Sequence, residues 1–208
     1  MLWRIINYLT ASVIFLTALP VVIDLILNGT IQSLTLAPFI LVESMQVVLL
    51  LVVAAPIYSS HSIKELIVCC CCVLLPVVST GIFGLHLSNH RVGLLVDTGV
   101  ALTLLAQAMI IWSLVNLSTS FSVLPEARTL RTSGIYKYVR HPIYTNYFIW
   151  YLGSSFIIES PIYVIMTLVV ALLLIWRAHF EDLKLAELGV KAIKYQQKTG
   201  MFFPKWGN

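Results

Sequence analysis

Charge is what this chain has least of. Only 11% of its 208 residues are Asp, Glu, Lys or Arg, against about 25% in a soluble domain, so water is not its main solvent. The net charge of +4 is too sparse to hold nucleic acid. Alternating apolar and polar segments of about 10 residues, the mark of a membrane barrel, are missing too. Cysteine is confined to one run, Cys69, Cys70, Cys71 and Cys72. Consecutive helical side chains fan out at about 100° each, so the four cannot converge on one metal. Redox and zinc sites also need accessible thiols. The run reads as small apolar filler, with acylation as the alternative. There is no internal repeat, no low-complexity linker, and no G-x-G-x-x-G following a strand.

What is present is hydrocarbon. Six apolar runs, 9–27, 34–58, 63–87, 92–117, 143–158 and 161–180, approach the length of about 20 residues that a spanning helix needs. They predict an all-α integral membrane protein with about six transmembrane helices. Only Glu159 and Ser160 separate the fifth run from the sixth, so the last two are expected to form a tight helical hairpin. Arg4 precedes the first run, but no small-x-small cleavage site follows, and an uncleaved first span is expected. With six spans, Arg4, Lys64, Arg128, Arg131, Lys137, Arg140 and the basic C-terminal segment share one side, and Arg91 stands alone on the other. The positive-inside rule then puts both termini in the cytoplasm, in a bacterial inner membrane or the endoplasmic reticulum.

Two zones follow. Residues 1–117 read as a four-helix transmembrane scaffold, and 118–208 as a catalytic region of loop, hairpin and cytosolic C-terminal helix. A polar loop of about 25 residues is long for a compact protein, and such loops are usually functional. Pro142 is expected in the first turn of the fifth helix, whose free N–H groups would form an anion site. Past Trp176 the last helix turns charged, with Leu183, Ala186, Leu188 and Ile193 as one apolar face, so a cytosolic amphipathic extension is predicted, ended or bent at Gly189. Arg177 and Glu181 share a helix face. Tyr144, Tyr147 and Tyr151 also share a face, and the last two fit an interfacial belt or packing. Asp24, Glu43 and Asp97 fall within spans, where acids are functional suspects. Their expected place in the outer half, near His86, His90 and Arg91, suggests a structural polar cluster, with an ion path as the sharper alternative.

One stretch combines these signals. Thr132-Ser-Gly-Ile-Tyr-Lys-Tyr-Val-Arg-His-Pro-Ile-Tyr144, then a hydrophobic hairpin, then Arg177-x-x-x-Glu-Asp-x-x-Leu185, then Tyr195 and Phe203-Pro204, resembles the isoprenylcysteine carboxyl methyltransferase family. The related phospholipid N-methyltransferases share much of this layout. The resemblance covers about the last 90 residues. It implies a membrane methyltransferase using S-adenosylmethionine on a lipid-like or prenylated acceptor, with carboxyl O-methylation of a prenylated cysteine as the leading expectation. It implies that Tyr136, His141, Pro142 and Tyr144 line the cofactor pocket, that Leu130 and Arg131 form its loop wall, and that Glu181 meets the cofactor. Arg177 faces the acceptor, and Asp182 is the second catalytic candidate. No metal and no nucleic acid partner is expected. Three positions depart from the family pattern: Asn146 stands where Gly is frequent, Asp182 where a second Glu is usual, and Ala192 where a tyrosine is usual.

The chemistry suits these residues. Methyl transfer is an in-line displacement in which positioning supplies much of the acceleration. A carboxylate acceptor would be oriented by the forked guanidinium of Arg177, whereas an amine acceptor would need a base, Asp182 or Glu181. Phospholipid headgroup N-methylation is therefore the second reading. A non-catalytic transporter or lipid-binding protein resting on Asp24, Glu43 and Asp97 is the third.

Overall fold

The computed structural model describes residues 4–5, 7–13, 23, 33–52, 57, 62–84, 93–122, 124, 126 and 129–205, with backbone alone for 33–40, 73–74, 76–84 and 119. Six helices appear: α1 (Ser33–Val52), α2 (Ile63–Gly84), α3 (Leu94–Leu117), α4 (Pro142–Ile158), α5 (Pro161–Ala186) and α6 (Val190–Lys198). Residues 7–13 are also helical. Short 3-10 turns occupy Ser118–Ser120 and Gly134–Lys137. Among the described residues there is no strand, only an isolated parallel bridge between Val139 and Gly200. The first predicted run, 9–27, lies largely outside the described residues, as do Asp24, His86, His90 and Arg91.

Local chemistry sets the helix boundaries. At α2, the backbone N–H of Ser62 donates to Glu65 Oε2 at 3.0 Å and that of Glu65 donates to Ser62 Oγ at 3.3 Å, a reciprocal capping box. Pro142 and Pro161 open α4 and α5, where a missing N–H leaves no bond unmade. Between them the chain turns at Glu159, in left-handed conformation at φ 51° and ψ 33°, so α5 starts beside the end of α4. The two helices pack together, and Ser155 and Thr167 hydrogen-bond across the contact at 3.0 Å.

Among the described residues two helices, α3 and α5, are long and apolar enough to cross a membrane. Only 28% and 33% of their most apolar windows are buried, far less than a soluble core helix hides. Leu105, Trp112, Val115, Ile165, Leu168 and Leu172 all face outward. This inside-out distribution fits lipid as the solvent.

The core lies along α3, α4 and α5. α3 packs most extensively on α4, α1 packs on α3, and α2 on α5. Gly99 and Gly153 meet at the α3–α4 crossing, where a Cβ on either would stand 2.6–2.8 Å from the other's carbonyl oxygen. Small residues permit this close approach of membrane helices. Helix α5 ends at Ala186, and Gly189, at φ 92°, redirects the chain into α6. The expected single apolar face is split: Leu183 and Ile193 point outward, whereas Ala192 and Lys184 are buried. Ala192 is buried where α6 packs on α5.

Candidate functional site

The first turn of α4 and the last third of α5 meet beneath the loop, and the C-terminal segment straps them together. Arg140 makes the densest set of contacts. Its Nε and Nη2 grip the Asp182 carboxylate at 2.8–3.1 Å, and its Nη1 donates to the carbonyls of Gln196 and Thr199. Next to it, His141 Nε2 lies 2.9 Å from Asp182 Oδ1 and Nδ1 lies 3.6 Å from Glu181 Oε2. The Tyr144 hydroxyl donates to Glu181 Oε1, and Arg177 Nε donates to the same oxygen at 3.1 Å. Arg177 also donates from Nη2 to the Ser122 carbonyl at 3.0 Å, tying the loop down, and lies over the Tyr144 ring at 5.3 Å. Opposite charges thus alternate through a nearly buried cluster, with Arg177 only 7% exposed and His141 8%.

The backbone reinforces it. The N–H groups of Arg140 and His141 donate to the carbonyls of Gly200 and Met201, and that of Gly200 to Tyr138. Thr145 Oγ1 donates to the Phe202 carbonyl at 3.0 Å, and the Tyr195 hydroxyl to the Tyr136 carbonyl at 2.7 Å. Gly200 has no room for a side chain, because a Cβ would come within 1.6 Å of the Phe203 carbonyl oxygen. Gly134 is required for two reasons: φ is +58°, and a Cβ would meet the Asn116 side chain.

Electrostatics follow from this arrangement. Burial lowers the pKa of the His141 imidazole, but hydrogen bonds to Asp182 and Glu181 and their charges outweigh it, so the net shift is upward from 6.5. A protonated His141 donates from Nε2 to Asp182 and pairs by charge with Glu181 at 3.6 Å. Burial, aided by the charge of Glu181, pushes the Tyr136 phenol far up, so its Oη stays a neutral donor. That oxygen is buried with no hydrogen-bond partner.

Beside the cluster lies a cavity. Of the nine residues singled out in the sequence, Leu130, Arg131, Tyr136, His141, Pro142, Tyr144, Arg177 and Glu181 line it. Asp182 does not, because its carboxylate is turned to Arg140 and His141. The N-terminus of α4 opens here with no side-chain cap. Tyr147 and Tyr151, which fit a belt by sequence, also face the cavity, together with Trp150. Asn146 is buried and donates to the Pro142 carbonyl at 2.9 Å, a contact inside its own helix.

Sequence reasoning missed the other wall. Thr10, Glu43, Gln46 and Cys72 from the first half of the chain, and Ser120, Phe121, Leu124 and Glu126 from the loop, line the same cavity. Glu43 therefore does not join Asp97, which is exposed in the first turn of α3. The available signal was an acid in a hydrocarbon helix, but sequence position alone could not show which side of the bundle it faces. Cys69 and Cys72 are buried and Cys70 is exposed, the fan expected of a helical run. Among the described residues no group of His, Cys, Asp and Glu is arranged to hold a metal.

Fold and site together define a helical membrane protein whose cavity is lined by ionic, polar, aromatic and aliphatic side chains. Residues 99–187 match the model of the isoprenylcysteine carboxyl methyltransferase (ICMT) family, so the resemblance carried by the motifs holds. The match includes most of α3 and stops before α6. The fold is similar to that of a solved structure, the eukaryotic intramembrane Ras methyltransferase ICMT without a monobody. Its TM-score is 0.55 at 21% sequence identity, and the alignment covers 82% of this chain and 64% of that one. No curated protein sequence matches the chain.

Proposed function

We propose that this protein is an integral-membrane methyltransferase that uses S-adenosylmethionine to O-methylate the carboxylate of a prenylated cysteine or similar lipid-like acceptor. The observation that carries the reading is the single cavity joining Arg177 and Glu181 to the uncapped first turn of α4. The residues present fit the cofactor. Buried Tyr136 Oη has no partner among the described residues and its side chain lines the cavity, the α4 N-terminus suits a carboxylate, and aromatic walls suit a flat base. Once bound there, S-adenosylmethionine would supply an electrophilic methyl group on a positively charged sulfur.

The protein's own part is to hold and to exclude. Leu130, Arg131, Tyr136, His141, Pro142 and Tyr144 form the cofactor wall in this reading, and Glu181 sets a negative charge beside it. Arg177 donates from Nε to Glu181 and from Nη2 to the Ser122 carbonyl and lines the cavity, where in this reading it orients a carboxylate. An apolar surround favours reaction between opposite charges, since desolvation disfavours the separated charges more than the neutral product. Asp182, expected as a catalytic residue, fits a positioning role better: it clamps Arg140 and His141 from behind the cavity wall.

The reading also extends to topology. Both termini lie in the cytoplasm, the loop and α6 face the cytosol, and residues 1–117 form the scaffold. A lipid tail gains about 0.8 kcal/mol per buried CH₂, which gathers the acceptor in the bilayer while the cofactor arrives from water. The test is purified protein in lipid nanodiscs given labelled cofactor and S-prenyl acceptors. Base-labile methyl ester supports the reading, and base-stable label on phosphatidylethanolamine replaces it with N-methylation.

A further inference from the structure

Helix α6 has two faces. Its inner face holds the corner: the Tyr195 hydroxyl donates to the Tyr136 carbonyl, Gln196 Nε2 donates to the Asp182 carbonyl at 2.7 Å, and the Gln196 carbonyl accepts from Arg140 at 2.8 Å. At about 100° per residue, Val190 and Ile193 form one flank of the outer face, and Lys191, Lys194 and Lys198 form the other. All five are exposed. The helix contains no acid, and the nearest in sequence, Glu187, lies in the turn before it. Lys205 Nζ donates to the carbonyls of Gln196 and Gln197 at 3.3 and 2.7 Å, which returns the strap to α6. Just ahead of that contact in the chain, Phe203 is left 74% exposed.

A face that is apolar on one flank and cationic on the other suits the boundary between hydrocarbon and anionic headgroups. Helix α5 sets its level. Ile165, Leu168, Leu172, Trp176 and Leu183 recur on one side of α5, with His179 between the last two, and all are exposed. This stripe carries the lipid-facing surface nearly to the helix end at Ala186. From Ile165 to Leu183 it runs about 27 Å at about 1.5 Å per residue, close to a hydrocarbon thickness of about 30 Å. The turn into α6 therefore falls at headgroup level, where an acidic protein would be crowded and lipid is already present. We propose that α6 and the strap dock on anionic lipid headgroups, and that this docking holds the cofactor corner closed. The lysine flank and the contacts to Arg140, Asp182 and Tyr136 belong to one short helix, so seating one face restrains the other. The docking stands on the surface alone, and its effect on the cofactor rests on the methyltransferase reading.

The test places the full chain in nanodiscs of phosphatidylcholine alone, or of phosphatidylcholine and phosphatidylglycerol in equal parts. Amide hydrogen exchange over residues 190–205 reports docking, and titration with S-adenosylhomocysteine reports the corner. One lysine near an anionic surface contributes roughly a 5-fold preference. Exchange should therefore be slower in the anionic discs by about 10- to 100-fold, an effect that high salt weakens and that K191Q/K194Q/K198Q removes. S-adenosylhomocysteine should bind wild type about 5- to 10-fold tighter in the anionic discs, and the triple variant equally in both. Unchanged exchange in α3 and α5 checks that the variant is folded. V190S/I193S tests the apolar flank separately and should speed exchange over 190–205 in both discs. Equal wild-type exchange in the two discs, or a lipid effect that survives in the triple variant, overturns the docking. Exchange that is equal in both discs but slowed by added poly-glutamate assigns the face to an acidic protein and overturns it as well. Slower exchange with no change in S-adenosylhomocysteine affinity overturns the link to the corner. If S-adenosylhomocysteine binds in neither disc, the cofactor reading falls alone, and the exchange comparison still decides the docking.

Discussion

The loop-and-strap corner and the helical scaffold are held together by opposite means. In the corner, the decisive bonds join residues far apart in sequence: Arg140 with Asp182 and Thr199, Arg177 with Ser122, Tyr195 with Tyr136. In α3, the hydroxyls of Thr98 and Ser113 bond carbonyls of their own helix, and its crossing with α4 is a close approach of Gly99 and Gly153. A lipid-facing scaffold needs only apolar surface of suitable shape. A buried ionic cluster needs each partner present, because removing one strands the others. The difference predicts that substitutions in the corner act on chemistry and order together, whereas scaffold substitutions away from the cavity wall act on packing alone.

The largest effect is expected at Arg177 and Glu181. R177A or E181A should lower turnover on the order of 10²–10³-fold, the scale for losing one preorganised charged contact. Wild-type rates in both would erase the distinction between the regions. D182A should come next, leaving Arg140 and His141 without their shared partner. Breaking such a pair destabilises by about 3–5 kcal/mol, read as a drop in thermal midpoint, and D182N should restore part of it. If Asp182 instead acted as a base, D182N would abolish turnover at unchanged stability. G200A should displace the strap, because its Cβ cannot coexist with the Phe203 carbonyl. Weaker cofactor binding with the helices intact by circular dichroism would confirm that the strap serves the site.

On the scaffold side, G153A should cost about 1–3 kcal/mol by overpacking against α3, without changing KM for the cofactor. L172V, on the outer face of α5, should stay within about 0.5 kcal/mol. The smallest test is pH. The His141 pKa is raised in the folded state, so its contribution to stability is fully present below 6.5 and is lost as pH rises through the elevated value. The gap in thermal midpoint between wild type and H141Q should narrow over that rise. A gap that widens there would mean His141 is neutral in its cluster.

Legibility followed the same division. The hydropathy runs that became α2, α3, α4 and α5 began within two residues of the observed helix starts, while 161–180 stopped six residues short of Ala186; continuous apolar runs of this length satisfy their backbone in lipid as helices. The motif residues around His141 and Arg177 were readable from resemblance. The pairing of Arg140 with Asp182 was not, since spacing suggests only the local pair Arg177–Glu181. Nor was the presence of Glu43 in the cavity: rotating α1 by half a turn would give the same hydropathy.

Sequence alone therefore determined the solvent of this protein, its helical class and the residue types available to its cavity, since composition and period decide what a backbone can do in hydrocarbon. Tertiary structure alone decided which charges neutralise one another and which remain to meet a ligand, because electrostatic pairing depends on separations of a few ångströms between segments some 40 to 60 residues apart in the chain.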